Sequence, residues 1–210
     1  MSKDFFYTGK ALLLLFYRNC CNIEYSGLEN VPEKGGFILA SNHVSNYDPF
    51  AVGIGIDHKV CYLAKQELFE GKNKLFIGPL LRGVAAIPIK RSTVDRKALN
   101  RATEILKEGH VLGIFPEGGR SRDGQVKDEG KNGAAMFSVM LNAPILPAAI
   151  TGTINCLISK FPPRWKKITV KYGKPIYPSE FEHISGKKQR MNAITQRLLD
   201  DIKQIQKELE

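Results

Sequence analysis

Two short stretches of this chain carry residue types that do chemistry: Asn42-His43-Val44-Ser45-Asn46-Tyr47-Asp48-Pro49 and Phe115-Pro116-Glu117-Gly118-Gly119-Arg120-Ser121-Arg122. In the first, an imidazole stands shortly before a carboxylate. A carboxylate near a histidine fixes its tautomer and stabilises the imidazolium, so His43 gains the means to deprotonate a hydroxyl with Asp48 as its orienting partner. The second stretch combines a carboxylate, two glycines and two guanidiniums. Glycines let the backbone approach a ligand and aim its N–H groups at an anion, and arginine forks match a phosphate. Lys90 and Arg91 add a third basic point. Together the two stretches describe an enzyme that activates a hydroxyl on a phosphorylated substrate.

Other readings of the same residues are local. Asp48 immediately before Pro49 is the expected N-cap of a helix whose first residue is proline. The two roles are compatible, because the second oxygen of a capping Asp can still face His43. Ser45 lies too close to His43 in sequence to complete a comfortable Ser-His-Asp triad, and no Gly-x-Ser-x-Gly elbow is present. Attack by the substrate's own hydroxyl is therefore expected, without a covalent intermediate on the enzyme.

The elements that must position these residues are short apolar runs alternating with helical patterns. Gly36 to Ala40 reads as a strand entering the first stretch, and Val111 to Phe115 as one entering the second. Val60 to Ala64, Val84 to Ile89, Ile145 to Ile150 and Ile168 to Tyr172 complete the strands. Ser92-x-x-Asp95 suggests a capping box for a helix with apolar face Leu99, Ala102, Ile105 and Leu106, ended by Gly109. Gly133 to Leu141 and about Lys187 to Glu210 read as helices, the latter with apolar residues at steps of three and four from Met191 to Leu209. The pattern predicts a single α/β domain with a central, mostly parallel or mixed sheet flanked by helices. In such folds ligands collect where strands end, and both stretches sit there.

Composition sets the outer bounds. The chain has 210 residues, 43% hydrophobic and 25% charged, enough for one well-buried core. Its net charge of +10 and pI near 9.4 favour anionic partners: nucleic acid, an acidic membrane surface or a phosphate-bearing substrate. Cys20, Cys21, Cys61 and Cys156 make no Cys-x-x-Cys pair, so neither a disulfide framework nor a metal site is expected. Residues 1–25 read as an apolar N-terminal helical segment, either packed or interfacial, and 26–210 as the domain. Lys10 interrupts the apolar run well short of the about 20 residues a spanning helix needs. No small-x-small cleavage site follows it.

Asn42-His43-x-Ser45-x-x-Asp48 resembles the first motif of the glycerolipid acyltransferases, a family typified by lysophosphatidate acyltransferase. Gly83 to Arg91 is similar to their second block, and Phe115 to Ser121 to their third, usually Phe-Pro-Glu-Gly-Thr-Arg-Ser. Ile145-Leu146-Pro147-Ala148 is similar to the fourth, and order and spacing match from about Leu28 to Pro178. Gly119 departs from the commoner Thr.

The resemblance implies acyl transfer from acyl-CoA or acyl-carrier protein, as co-substrate with no other cofactor, to the free hydroxyl of a lysophospholipid. By the same resemblance, His43 is the base and Asp48 its partner. Arg91, Glu117, Gly118, Gly119, Arg120 and Ser121 hold the glycerol phosphate, and Pro147 shapes the acyl-donor site. Asn42, Ser45 and Lys131 are further site candidates. The expected place is the cytoplasmic face of the cell membrane, peripheral or monotopic, against an anionic surface. Rival readings are a relative acting on glycerol-3-phosphate or another lysolipid, and a non-catalytic basic module binding membrane or nucleic acid. Nucleic acid is not expected, since aromatic residues are not interleaved with the basic ones at the strand ends.

Overall fold

A computed structural model describes residues 22–70, 86–89, 95–153 and 167–210. Seven strands form one sheet: β1 (Ile23–Ser26), β2 (Ile38–Ser41), β3 (Val60–Lys65), β4 (Ile87–Ile89), β5 (Val111–Ile114), β6 (Ile145–Thr151) and β7 (Ile168–Tyr172). Their spatial order is β1-β7-β6-β2-β5-β3-β4. The five strands from β6 to β4 run parallel, while β7 is antiparallel to β6 and carries β1 beside it. The expected mixed α/β sheet is what forms. The boundary expected at residues 25/26 falls inside β1, because Ile23 to Ser26 pair with Ile168 to Lys171. The remainder of the expected N-terminal helical segment, residues 1–21, lies outside the described residues.

The helices among the described residues are α1 (Asp48–Ile54), α2 (Arg96–Lys107), α3 (Gly133–Leu141) and α4 (Lys187–Leu209). Successive strand side chains point to opposite faces, and both faces here are covered, which is why β2 and β5 are buried along their whole length. Phe37, Leu39, Leu146, Ala148 and Ile150 pack with Phe50, Ala51 and Val52 of α1. Ile38, Ala40, Leu112, Ile114, Ile145 and Ala149 face α2, α3 and α4. Helix α4 contributes Ile194, Leu198, Leu199 and Ile202, each 0% exposed. Burying a side chain of that size is worth about 1.5–3 kcal/mol.

Helix α2 begins at Asp95, whose side chain accepts from Ala98 N at 3.1 Å. Asp95 is thus the cap, rather than the Ser expected at 92, which lies outside the described residues. The helix ends as expected at Gly109, where Gly109 N bonds Leu106 O and His110 N bonds Ile105 O. At the far end of α1, the Tyr25 hydroxyl donates to Ala51 O at 2.9 Å and the Tyr172 hydroxyl to Val52 O at 2.8 Å. Carbonyls in the last turn of a helix have acceptor capacity to spare, and two tyrosines from β1 and β7 use it to fasten the element that starts with Asp48.

The connections explain where a site must lie. From β2 the chain passes through α1 on one face and reaches β3, beyond β5. From β5 it passes through α3 on the other face and reaches β6, beyond β2. Neighbouring strands whose connections leave in opposite directions open a crevice at their carboxyl ends. The pairing Ala40↔Ile114 sets the height, so His43 and Glu117 leave their strands level with one another.

Candidate active site

The loop after β2 is fixed before it reaches His43. The Asn42 side chain donates to Ile150 O at 3.0 Å and accepts from Ile150 N at 2.9 Å, replacing one rung of the β2–β6 ladder. Ser45 is buried, and its hydroxyl accepts from Tyr47 N at 3.3 Å. Asp48 is 0% exposed and turns back toward this loop. Its Oδ2 accepts from Val44 N and Ser45 N, both at 2.7 Å, and lies 2.9 Å from His43 Nδ1. Its Oδ1 accepts from the Thr153 hydroxyl at 2.6 Å.

The capping role expected for Asp48 is not the one found. Tyr47 occupies the N-cap of α1 with no side-chain cap bond, and Asp48 is the first helical residue. The amides a capping Asp would take are absent or occupied. Pro49 has none, and Phe50 N and Ala51 N both bond Tyr47 O. The carboxylate is released to bind the preceding loop and the imidazole.

An ionised carboxylate only accepts, so the His43 proton resides on Nδ1 and Nε2 presents its lone pair. The ring stacks on Phe115 with centroids 4.1 Å apart and 18° between planes. Phe115 stacks in turn on Tyr62 at 5.7 Å and 11°. The Tyr62 ring lies over Gly113, where a Cβ would fall 2.3 Å from ring carbons. At the foot of this pile the Tyr62 hydroxyl is buried without a hydrogen-bond partner among the described residues. The His43 side chain is 18% exposed, open enough for its free nitrogen to meet a substrate.

The second stretch grips the peptide of His43 itself. Glu117 is buried, and its Oε1 accepts from His43 N at 2.9 Å while Oε2 accepts from Lys127 N at 3.4 Å. Ser121 N donates to His43 O at 2.7 Å. Both main-chain polar groups of His43 therefore bond to residues of the other motif. Burial pushes the Glu117 carboxyl above the ordinary glutamate range, against the opposing pull of the His43 and Lys127 N–H groups. With its oxygens on two amides, Glu117 is placed to build the site rather than to meet an anion.

The groups expected to meet an anion lie further along the same loop. Gly118 has φ 68°, and a Cβ there would fall 2.7 Å from Lys131 Cε, so the Lys131 stem passes directly over it. A Cβ on Gly119 would meet nothing within 4 Å, which leaves room for a threonine at that position. Ser121 is buried and its hydroxyl donates to Asp123 at 2.5 Å. Arg120 and Arg122, exposed on either side of it, border with Lys127 an open hollow of about 600 Å³. Helix α4 steadies this loop: Gln206 Nε2 donates to Gly124 O at 2.8 Å, and Lys203 pairs with Asp128 at 2.7 Å.

One expected site residue falls beyond view and another is not brought to His43. Arg91 lies outside the described residues. Pro147 is buried in mid-strand opposite Ala40, about 10 Å below the level of His43 at the rise of a strand. Its ring faces α4, since a Cβ on Gly173 would fall 3.1 Å from Pro147 Cγ and 2.6 Å from Ile205. Conversely, Thr153, Tyr62 and the ring of Phe115 join the site without having been singled out.

Comparison with known proteins decides the family. A family model described as "Acyltransferase" matches residues 22–151, more than half of the chain and spanning both motifs. The chain belongs to the acyltransferase family. This acyltransferase is 32% identical over 183 residues to the 1-acyl-sn-glycerol-3-phosphate acyltransferase of Bacillus subtilis (strain 168), covering 87% of each chain. It is 34% identical over 129 residues to the Pseudomonas aeruginosa protein of the same name, covering 60% of this chain and 48% of that one. Its fold matches the crystal structure of the 1-acyl-sn-glycerophosphate (LPA) acyltransferase, PlsC, from Thermotoga maritima, with a TM-score of 0.66 and 26% identity. That match covers 96% of this chain and 79% of the other. In this acyltransferase the matched region ends just short of Thr153.

Proposed function

We propose that this acyltransferase moves a fatty acyl group from a thioester to the free hydroxyl of 1-acyl-sn-glycerol-3-phosphate, giving phosphatidic acid for phospholipid synthesis. The observation that carries this reading is the His43 ring, oriented by Asp48 and tied through Glu117 and Ser121 N to the loop that bears Arg120, Arg122 and Lys127. Nε2 takes the proton of the acceptor hydroxyl as its oxygen attacks the thioester carbonyl. The C–O bond forms, the C–S bond breaks, and the departing sulfur recovers the proton from the imidazolium. The basic loop meets the phosphomonoester and sets the hydroxyl against Nε2, so much of the rate gain comes from positioning.

The thioester is that of acyl-CoA or acyl-carrier protein. The acceptor is a lipid, so the basic face works against an anionic membrane surface, on the cytoplasmic side where such thioesters are made. Among the described residues no helix is long and apolar enough to cross a membrane.

The test is release of free thiol from acyl-CoA or acyl-carrier protein in the presence of lysophosphatidate, with glycerol-3-phosphate as a second acceptor. Losing a general base costs about 10²–10⁴-fold, and His43→Ala is expected to fall by that much with its fold intact. Full activity in His43→Ala overturns the base assignment. Faster use of glycerol-3-phosphate than of lysophosphatidate overturns the acceptor.

A further inference from the structure

We propose that Thr153 is a positioning residue of the His43–Asp48 pair, holding the carboxylate so that Oδ2 alone is presented to the imidazole. The inference rests on His43 acting as the base.

Three N–H donors converge on Asp48 Oδ2: Val44 N, Ser45 N and His43 Nδ1. The other oxygen, Oδ1, receives the Thr153 hydroxyl. Asp48 is 0% exposed and Thr153 1%, so no water replaces that donor. A hydroxyl buried this deeply is costly unless it is hydrogen-bonded, and a bond to a charged acceptor is the strong kind. Without it, one oxygen of a buried carboxylate is unpaired and the group is free to turn toward another donor. Nδ1 of His43 then loses the fixed acceptor that keeps Nε2 unprotonated and aimed at the crevice.

The chain brings Thr153 to this place by a sequence of constraints. Asn42 takes both main-chain groups of Ile150, which locks the end of β6 to the end of β2. Gly152 follows with φ 87°, and a Cβ there would fall 2.1 Å from Lys167 O. Only glycine allows the chain to turn so tightly against the residue that leads into β7. That turn carries Thr153 beneath the carboxylate. Asn42 therefore serves the pair at a distance, by fixing the strand that delivers Thr153.

The test compares Thr153→Val, which keeps the shape and removes the hydroxyl, with Thr153→Ser, which keeps the hydroxyl, using His43→Ala as control. The loss of one charge-assisted hydrogen bond corresponds to a fall in kcat of about 10- to 100-fold in Thr153→Val, with KM for lysophosphatidate within about twofold. Thr153→Ser is expected to retain kcat within about threefold. The downfield proton resonance of His43 Nδ1–H should shift or broaden in Thr153→Val and persist in Thr153→Ser.

Wild-type kcat in Thr153→Val overturns the inference, as does an equal loss in both variants, which would trace the effect to packing. An unchanged Nδ1–H resonance beside a lost kcat also overturns it. If Thr153→Val does not fold, Thr153→Ala is measured in its place with the same expectation. Full activity in His43→Ala would remove the base on which the inference rests. An inactive His43→Ala beside a fully active Thr153→Val would refute the role of Thr153 alone.

Discussion

The main-chain N–H of His43 donates to Oε1 of Glu117 at 2.9 Å, so the carboxylate of the second motif supports the histidine of the first. This relationship separates two roles that a shared motif invites one to merge. A residue that binds the acceptor phosphate acts on KM, whereas one that holds the base acts on kcat. Glu117→Ala is expected to lower kcat by about 10- to 100-fold, the range for losing a hydrogen bond to a charged group. KM for lysophosphatidate should rise by less than kcat falls, and steady-state kinetics with varied acceptor decides between the two roles.

The same carboxylate gives stability and activity opposite pH dependences. Burial raises the Glu117 acid above its ordinary 4.5, so the folded chain binds this proton more tightly than the unfolded chain does. Its contribution to stability is fully present below 4.5 and is lost as pH rises through the raised folded-state value. Activity should run the other way, because the ionised form is the better acceptor for the His43 N–H. Urea melts at several pH values, compared with Glu117→Gln, should show the wild type losing relative stability above 4.5. A wild type that gains stability over that variant across the same range would contradict the assignment.

Asn42 supplies a donor and an acceptor to the main chain of one buried residue, Ile150. Asn42→Asp keeps the shape and turns the donor into a second acceptor, facing Ile150 O. The expected loss is about 3 kcal/mol or more in equilibrium unfolding, since a buried unpaired charge costs more than a neutral group left unsatisfied. Asn42→Ala should lose less than Asn42→Asp.

The adjacent glycines of the basic loop should respond differently. Gly118→Ala forces a side chain into a left-handed backbone and against the stem of Lys131, at a cost of about 1–2 kcal/mol from the backbone alone. Gly119→Thr enters open space and should change stability by about 0.5 kcal/mol or less. Thermal melts of the two variants test the contrast.

Tyr62 carries a buried hydroxyl that finds no partner among the described residues. Tyr62→Phe removes that unsatisfied group and keeps the ring that stacks on Phe115. Stability should rise by about 1 kcal/mol, with kcat unchanged. A destabilised Tyr62→Phe would show that the hydroxyl has a partner in solution.

What the sequence made legible was local. His43 and Asp48 stand close in the chain, and strand-end placement follows from apolar runs that stop at polar residues. The helix Gly133–Leu141 and the strand Ile168–Tyr172 fell where periodicity put them. Strand β1 is only four residues long, so its alternation Ile23-Glu24-Tyr25-Ser26 was too brief to stand out as a strand. The Asp48 cap was misread because Asp-Pro is a local signal, whereas the outcome depended on Tyr47 O taking the next two free amides. Thr153 was invisible because its partner lies 105 residues away, and a lone threonine after a glycine carries no periodic signature.

The distances along the chain have a kinetic meaning. The supports of the His43–Asp48 pair join residues 43 to 117, 42 to 150 and 48 to 153, each closing a large loop. Contacts of such separation are made late, after the entropy of loop closure has been met. During synthesis the histidine and aspartate emerge together, yet the aspartate lacks its second anchor until β6 and the turn after it have left the ribosome. A nascent chain arrested before that point holds both side chains and not the arrangement proposed to make them a base, so on that proposal turnover begins only once the sheet has closed around them.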